Sequence, residues 1–244
     1  MWVEPTDPLP DPRHLPTISD TDNDLAGLVA VGRDLHAERL LEAYSLGLFP
    51  WYTAGQPVLW WSPHPRMVLH VAELRVHRSL QKTIRRHRRE CDWQLSLDRA
   101  FESVMRACAA PRGGEAGTWI TPEMVDAYVG LHQRGFAHSV EVWQNTGSGS
   151  RMIGGLYGVA IGRMFFGESM FALEADASKT ALVALVALLQ SLDFRMIDCQ
   201  QNTRHLASLG AREIARPVFL EQMSRLIDTP APDWKRLHIE FPAV

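Results

Sequence analysis

Residues 154–200, GGLYGVAIGRMFFGESMFALEADASKTALVALVALLQSLDFRMIDCQ, decide the fold. RMIGGLYGVAIG and RMFFGESMFA read as two strands joined by a Gly-containing turn. Beyond them Asp176 or Ser178 caps a long apolar helix, TALVALVALLQSL, that leads into a further strand, RMIDCQ. Working outward, AHSVEVWQ adds a third strand upstream and completes an antiparallel meander. GTWITPEMVDAYVGLHQRG is a helix with Thr121 as N-cap, Pro122 at its first position and Gly135 past its end. SLDRAFESVMRACAA is amphipathic, with Phe101, Val104, Met105 and Cys108 on one face, and VHRSLQKTIRRHRR is a basic helix. Downstream, NTRHLASLG reads as a short helix closed by Gly210, and AREIARPVFL as a last strand. Strands, helix, strand and helix in this order specify an α+β plan with a mixed sheet.

At the other end, residues 1–24 form a Pro/Asp-rich lead expected to be irregular. GLVAVGRDLHAERLLEAYSLGLFPW gives a short strand, a turn, and a helix from about His36 to Ser45 closed by Gly47. The prolines of PVLWWSPHPR block helix and central strand alike, which sets a boundary near Pro63–Pro65. The expected organisation is a small N-terminal α/β domain, residues 1–64, and a larger α+β domain, residues 65–244.

The chain has 244 residues, a net charge of −3 and a pI near 6.4, so nucleic-acid contact has to come from a local patch. Cys91, Cys108 and Cys199 are odd in number, widely spaced and without a CxxC pair, which fits a reducing, cytoplasmic setting better than disulfides or a zinc site. The longest apolar run, ALVALVALL at 181–189, falls far short of the ~20 residues of a membrane span, so no membrane role is expected.

The strand order resembles the GNAT acyltransferase fold, whose sheet splays open to hold an acyl donor. More specific blocks accompany it: GLVAVGRDL, GLFPWY, LWWSPHPRMVL, EAGTWIT, HSVEVW, GGLYGVAIGRMFFGESMF, ASKTALV, and IDCQ followed by HLASLGA. Together they resemble the leucyl/phenylalanyl-tRNA-protein transferase family over about residues 24–220. The resemblance implies transfer of Leu, Phe or Met from aminoacyl-tRNA to the N-terminal Arg or Lys of a protein, marking it for degradation. It implies no metal and no organic cofactor.

Aminolysis of an activated ester requires a deprotonated amine, a placed carbonyl and a path for a proton. Asp198 and Gln200 are the expected catalytic pair: alternation along a strand points both at the cleft and turns Cys199 away. Asp198 would serve as anchor and base, Gln200 as its orienter. Glu168, set among Phe165, Phe166, Met170 and Phe171, is expected to hold the acceptor's cation. A regular strand puts Phe165 and Glu168 on opposite faces, a conflict that a bulge at Gly167 would remove.

Matching the family's motif positions assigns the amino-acid pocket to Leu156, Phe165, Leu185 and Ile197, three of which sit where a core residue would also sit. The same matching assigns the terminal adenosine of the tRNA to Trp51, Trp119 and Tyr128, while Trp60 and Trp61 read as packing residues. Arg78, Lys82, Arg85, Arg86 and Arg89 form a basic surface suited to the acceptor-stem phosphates, although a charge run is more often a solvated face. Two alternatives stand. A GNAT-type acyl-CoA-dependent N-acyltransferase is disfavoured because FALEADASKT offers no Gly-rich pyrophosphate turn before the central helix. A non-catalytic RNA-binding module leaves Asp198, Gln200 and Glu168 without a role.

Overall fold

The computed structural model describes residues 1–15, 25–111, 119–147 and 149–244. Residues 16–24 of the lead and 115–118 of EAGTWIT lie outside them. The described residues form two sheets, one of three strands and one of seven.

In the smaller sheet, β1 (Leu28–Gly32), β2 (Phe49–Pro50) and β3 (Val58–Trp61) take the order β1-β3-β2, with α1 (Ala37–Ser45) between the first two. The ring of His36 caps α1 by accepting the Arg39 N–H, and Gly47 follows its end at φ +77°. A side chain at Gly47 would be strained there, and its Cβ would meet Leu220 at 2.4 Å. Trp60 is fully buried and Trp61 nearly so, as packing residues should be.

The larger sheet takes the order β10 (Arg212–Ile214), β4 (Arg66–His70), β9 (Met196–Gln200), β8 (Met164–Ala172), β7 (Gly149–Ile161), β6 (Ala137–Thr146), β5 (Trp93–Leu97). Its meander, β6, β7 and β8, is antiparallel throughout. Helix α5 (Ala177–Ser191) then carries the chain to β9, which lies parallel to β8. The intervening helices match the sequence closely: α2 (Arg78–Glu90), α3 (Phe101–Ala109), and α4 (Pro122–Gln133), the last capped by the Thr121 side chain.

Three elements depart from expectation. Arg66–His70 is a strand, β4, sitting inside the sheet between β10 and β9, and Trp93–Leu97 is an edge strand, β5. The stretch read as a final strand is split. Only Arg212–Ile214 is strand, β10, after the short helix α6 (Arg204–Ser208), and Arg216–Ile227 is a helix, α7. Pro217 explains the last change, since its fixed φ and missing N–H suit the first turn of a helix.

Alternation sorts the sheet into two faces. Val68, Tyr157, Val159, Phe166 and Met196 pack with the N-terminal unit, α3, α4 and α7, whereas Leu69, Leu156, Phe165 and Ile197 pack with α5. Strands β8 and β9 pair only at Phe165–Ile197 and Phe166–Asp198 and then part. The gap they leave is the splay expected of this fold, and the functional cavity opens there.

Candidate active site

The cavity has a volume of about 480 Å³. Its apolar wall is Leu69, Leu156, Phe165, Leu182, Leu185 and Ile197, drawn from β4, β7, β8, α5 and β9. The four expected pocket residues therefore stand together, each at most 4% exposed, with Leu69 and Leu182 as neighbours the sequence did not single out. At one end the lining turns polar, with Glu168, Ser169, Gln200, Gln201, Thr203 and His205. Burial, with Lys179 nearby, lowers the His205 pKa. Phe49, Pro50, Trp51 and Trp119 form an aromatic lip. Trp51 is 41% exposed, and its backbone is fixed because the Trp61 indole N–H donates to the Trp51 carbonyl at 2.8 Å.

Both acids need comment. Tyr157 pairs with Ser169 and Gly158 with Gly167, so Glu168 is itself the extra residue of a bulge. Gly158 permits this close crossing, since a Cβ there would lie 2.3 Å from the Phe166 carbonyl oxygen. Phe165 and Glu168 consequently both reach the cavity. The Tyr44 hydroxyl donates to Glu168 Oε1 at 2.7 Å, Gln200 Nε2 donates to the same oxygen at 3.3 Å, and the Tyr128 hydroxyl donates to Oε2 at 3.2 Å. Burial pushes the Glu168 carboxyl up to about 7; the Tyr44 hydrogen bond pulls the other way and the Asp198 charge adds to the rise.

Asp198 does not face the cavity, which corrects the expectation that its carboxylate meets substrate. It is fully buried on the opposite side of the sheet, where Arg66 Nε donates to Oδ1 at 2.8 Å and Arg66 Nη2 to Oδ2 at 2.6 Å. The Arg66 guanidinium lies between the rings of Phe49 and Phe219, 4.9 and 4.5 Å from their centres, and its Nη1 donates to the Gly47 carbonyl at 3.2 Å. The turn of the pair came from a second bulge. Val68 pairs with Asp198 and Met67 with Gln200, so Cys199 is extra and Gln200 takes φ +56°. Alternation is broken between them: Cys199 lines the cavity, Gln200 reaches it too, and Asp198 stays behind, accepting the Gln200 N–H at 3.0 Å. The Cys199 thiol is raised by burial, so it is no poised nucleophile.

Tyr128 is a further correction. Its ring is wholly buried and does not line the cavity, so it has no face for a base to stack on. Trp51 and Trp119 remain at the lip. On α2, Arg78, Lys82, Arg85, Arg86 and Arg89 are all exposed, while Leu80, Ile84 and His87 form the buried side. Among the described residues, His87, Glu90 and Asp92 could bring ligand atoms within 4.8 Å of one another. None lines the cavity, and both His87 ring nitrogens are engaged, with Asp92 and with Arg86.

Comparison with known proteins decides the family. The model of the leucyl/phenylalanyl-tRNA protein transferase family matches residues 68–224, and that of its N-terminal domain residues 33–64. The chain belongs to this family. It is 54% identical over 236 residues to the leucyl/phenylalanyl-tRNA--protein transferase of Burkholderia ambifaria, covering 96% of this chain and 90% of that one. The protein of the same name from Paraburkholderia xenovorans is 51% identical over 234 residues, covering 96% and 93%. Among solved structures, FemX aligns over 75% of this chain and 70% of its own at 8% identity and a TM-score of 0.47, too distant to speak to activity. As a family member this chain is an aminoacyltransferase, and the acyl-CoA alternative is not favoured.

Proposed function

We propose that this enzyme transfers Leu, Phe or Met from aminoacyl-tRNA to the N-terminal Arg or Lys of proteins, marking them for degradation in the cytoplasm. The side chain of the transferred residue occupies the wall of Leu156, Phe165, Leu185 and Ile197. The terminal adenosine stacks on Trp51 and Trp119, which suits a contact that must tolerate no particular geometry beyond a π-face. Arg78, Lys82, Arg85, Arg86 and Arg89 on α2 take the acceptor-stem phosphates. The cationic chain terminus rests against Glu168, and Gln200 positions the reacting carbonyl and amine. Asp198 acts behind Gln200 as a positioning residue, holding its backbone against Arg66.

The observation that carries this reading is the join within one cavity of an apolar wall, an aromatic lip and the Glu168–Gln200 end. An apolar wall distinguishes poorly between Leu and Phe, because a methylene is worth only ~1–3 kcal/mol, and selection by exclusion of β-branched and polar side chains is expected instead. Among the described residues no helix is long and apolar enough to cross a membrane. The test offers leucyl-tRNA and leucyl-CoA separately, with a peptide beginning with Arg. Leucine arriving from the tRNA alone, in a reaction stopped by ribonuclease, supports the reading. Transfer from CoA, or transfer insensitive to ribonuclease, sinks it.

A further inference from the structure

The three contacts that join Glu168, Tyr44 and Tyr128 are short of one hydrogen. The Tyr44 hydroxyl touches Oε1, the Tyr128 hydroxyl touches Oε2, and the two hydroxyls are in hydrogen-bond contact with each other. Three contacts need three hydrogens, and the two tyrosines own only two. With an ionised carboxylate both hydroxyls donate to Glu168, and the two phenol oxygens then face each other without a hydrogen between them. One added proton closes a ring in which Glu168 donates to Tyr128, Tyr128 to Tyr44, and Tyr44 to Glu168.

From this triangle we infer that Glu168 is the group that receives the proton released by the attacking amine, with Tyr44 and Tyr128 as the positioning residues that hold it. The inference rests on the reading given above and goes further, because there Glu168 only held a cation. In the transfer the α-ammonium loses two protons as it becomes an amide nitrogen. The C–N bond forms as the bond from the carbonyl carbon to the ribose 3' oxygen breaks. That oxygen leaves as a hydroxyl with one proton, and Glu168 takes the other and passes it to solvent before the next turn.

The surroundings suit a carboxyl that changes state. Tyr44 from α1, Tyr128 from α4, Gln200 and Asp198 from β9 and Arg66 from β4 surround it, and Tyr157 from β7 stacks edge-on to Tyr128 at 5.8 Å. Burial and the Glu168 charge hold both Tyr44 and Tyr128 well above the usual phenol range, so they keep their protons throughout. The Glu168 carboxyl itself titrates at about 7, where a proton can be taken and returned. Tyr44 belongs to the N-terminal unit, and neither it nor Tyr128 lines the cavity.

The experiment measures kcat against pH for the full chain and for Tyr44→Phe, with one Arg-peptide acceptor and saturating leucyl-tRNA. Removing a donor to a carboxylate raises its pKa, so Tyr44→Phe should move the acid limb upward by on the order of one pH unit. The acceptor amine is the same in both proteins and cannot supply that shift. A lower rate with an unmoved limb would mean a merely structural role and overturn the inference. Carbon NMR of the labelled Glu168 carboxyl, assigned with Glu168→Gln, provides a reading that needs no active variant. A titration near neutrality supports the inference, and one near the ordinary glutamate value ends it. Absence of any leucine transfer by the unaltered enzyme would instead count against the tRNA reading itself.

Discussion

Arg66 and Asp198 face each other through two hydrogen bonds, at 2.8 and 2.6 Å, with no exposed surface on either side chain. The pair joins adjacent strands β4 and β9, and through Phe49, Gly47 and Phe219 it ties the sheet to the N-terminal unit and to α7. Its removal is therefore a matter of stability first. Asp198→Ala leaves a buried guanidinium unpaired and should cost roughly 3–5 kcal/mol in urea denaturation. Arg66→Met with Asp198→Leu should cost clearly less than the sum of the single changes. The double variant should still turn over slowly, because the Gln200 N–H has lost its acceptor. Full turnover in that variant would refute a positioning role for Asp198.

The raised Glu168 carboxyl carries a linkage to folding. Its ordinary value is 4.5 and its folded value about 7, so the folded state binds the proton more tightly. The stabilisation is fully present below about 4.5 and is lost as pH rises through about 7. Glu168→Gln removes this dependence. The unfolding free energy of the variant, followed by melting curves, should gain on that of the parent between pH 5 and pH 8 by on the order of 1–3 kcal/mol. Parallel melting curves across that range would show that Glu168 is not perturbed.

Stacking on the lip can be separated from packing in the core. Trp51→Ala or Trp119→Ala should raise KM for aminoacyl-tRNA by roughly 5- to 150-fold, from ~1–3 kcal/mol per stacked base, with a smaller change in kcat. Tyr128→Leu, which removes the ring, should leave that KM near its parent value, since the buried ring has no cavity face. A matching KM rise in Tyr128→Leu would restore it as an adenosine contact.

The basic face of α2 predicts a salt effect. Binding of tRNA should weaken linearly in log Kd against log salt, and each arginine removed from Arg78, Arg85 and Arg89 should lower the slope by about 0.7–0.9 if it meets a phosphate. The choice between Leu and Phe should not move. An unchanged slope in the triple variant would return α2 to a solvated surface.

Much of the fold was legible because local signals agreed with the tertiary result. Thr121 and Pro122 open α4 where capping chemistry places them, and the Gly162–Arg163 turn joins β7 to β8 as the glycine suggested. Strand β4 was hidden by the prolines just before it, although its MVL run is ordinary for a strand buried on both faces. The cavity wall was legible as a set because the motif positions converge on the splay. The orientation of Asp198 was not, since it depends on the bulge at Cys199 and the left-handed backbone at Gln200, and neither leaves a mark in a run such as MIDCQ. Tyr44 and Tyr128 were equally opaque: each lies on the buried face of its helix, where a tyrosine looks like core. Only the partner of their hydroxyls, Glu168, distinguishes them.

A structure of the enzyme with a non-hydrolysable phenylalanyl-adenosine would test the assignment of the cavity. The phenyl ring should lie among Leu156, Phe165, Leu185 and Ile197, the adenine against Trp51 and Trp119, and the linkage standing for the ester within hydrogen-bond reach of Gln200. An analogue bound outside the splay between β8 and β9, or with its ends exchanged, would contradict it.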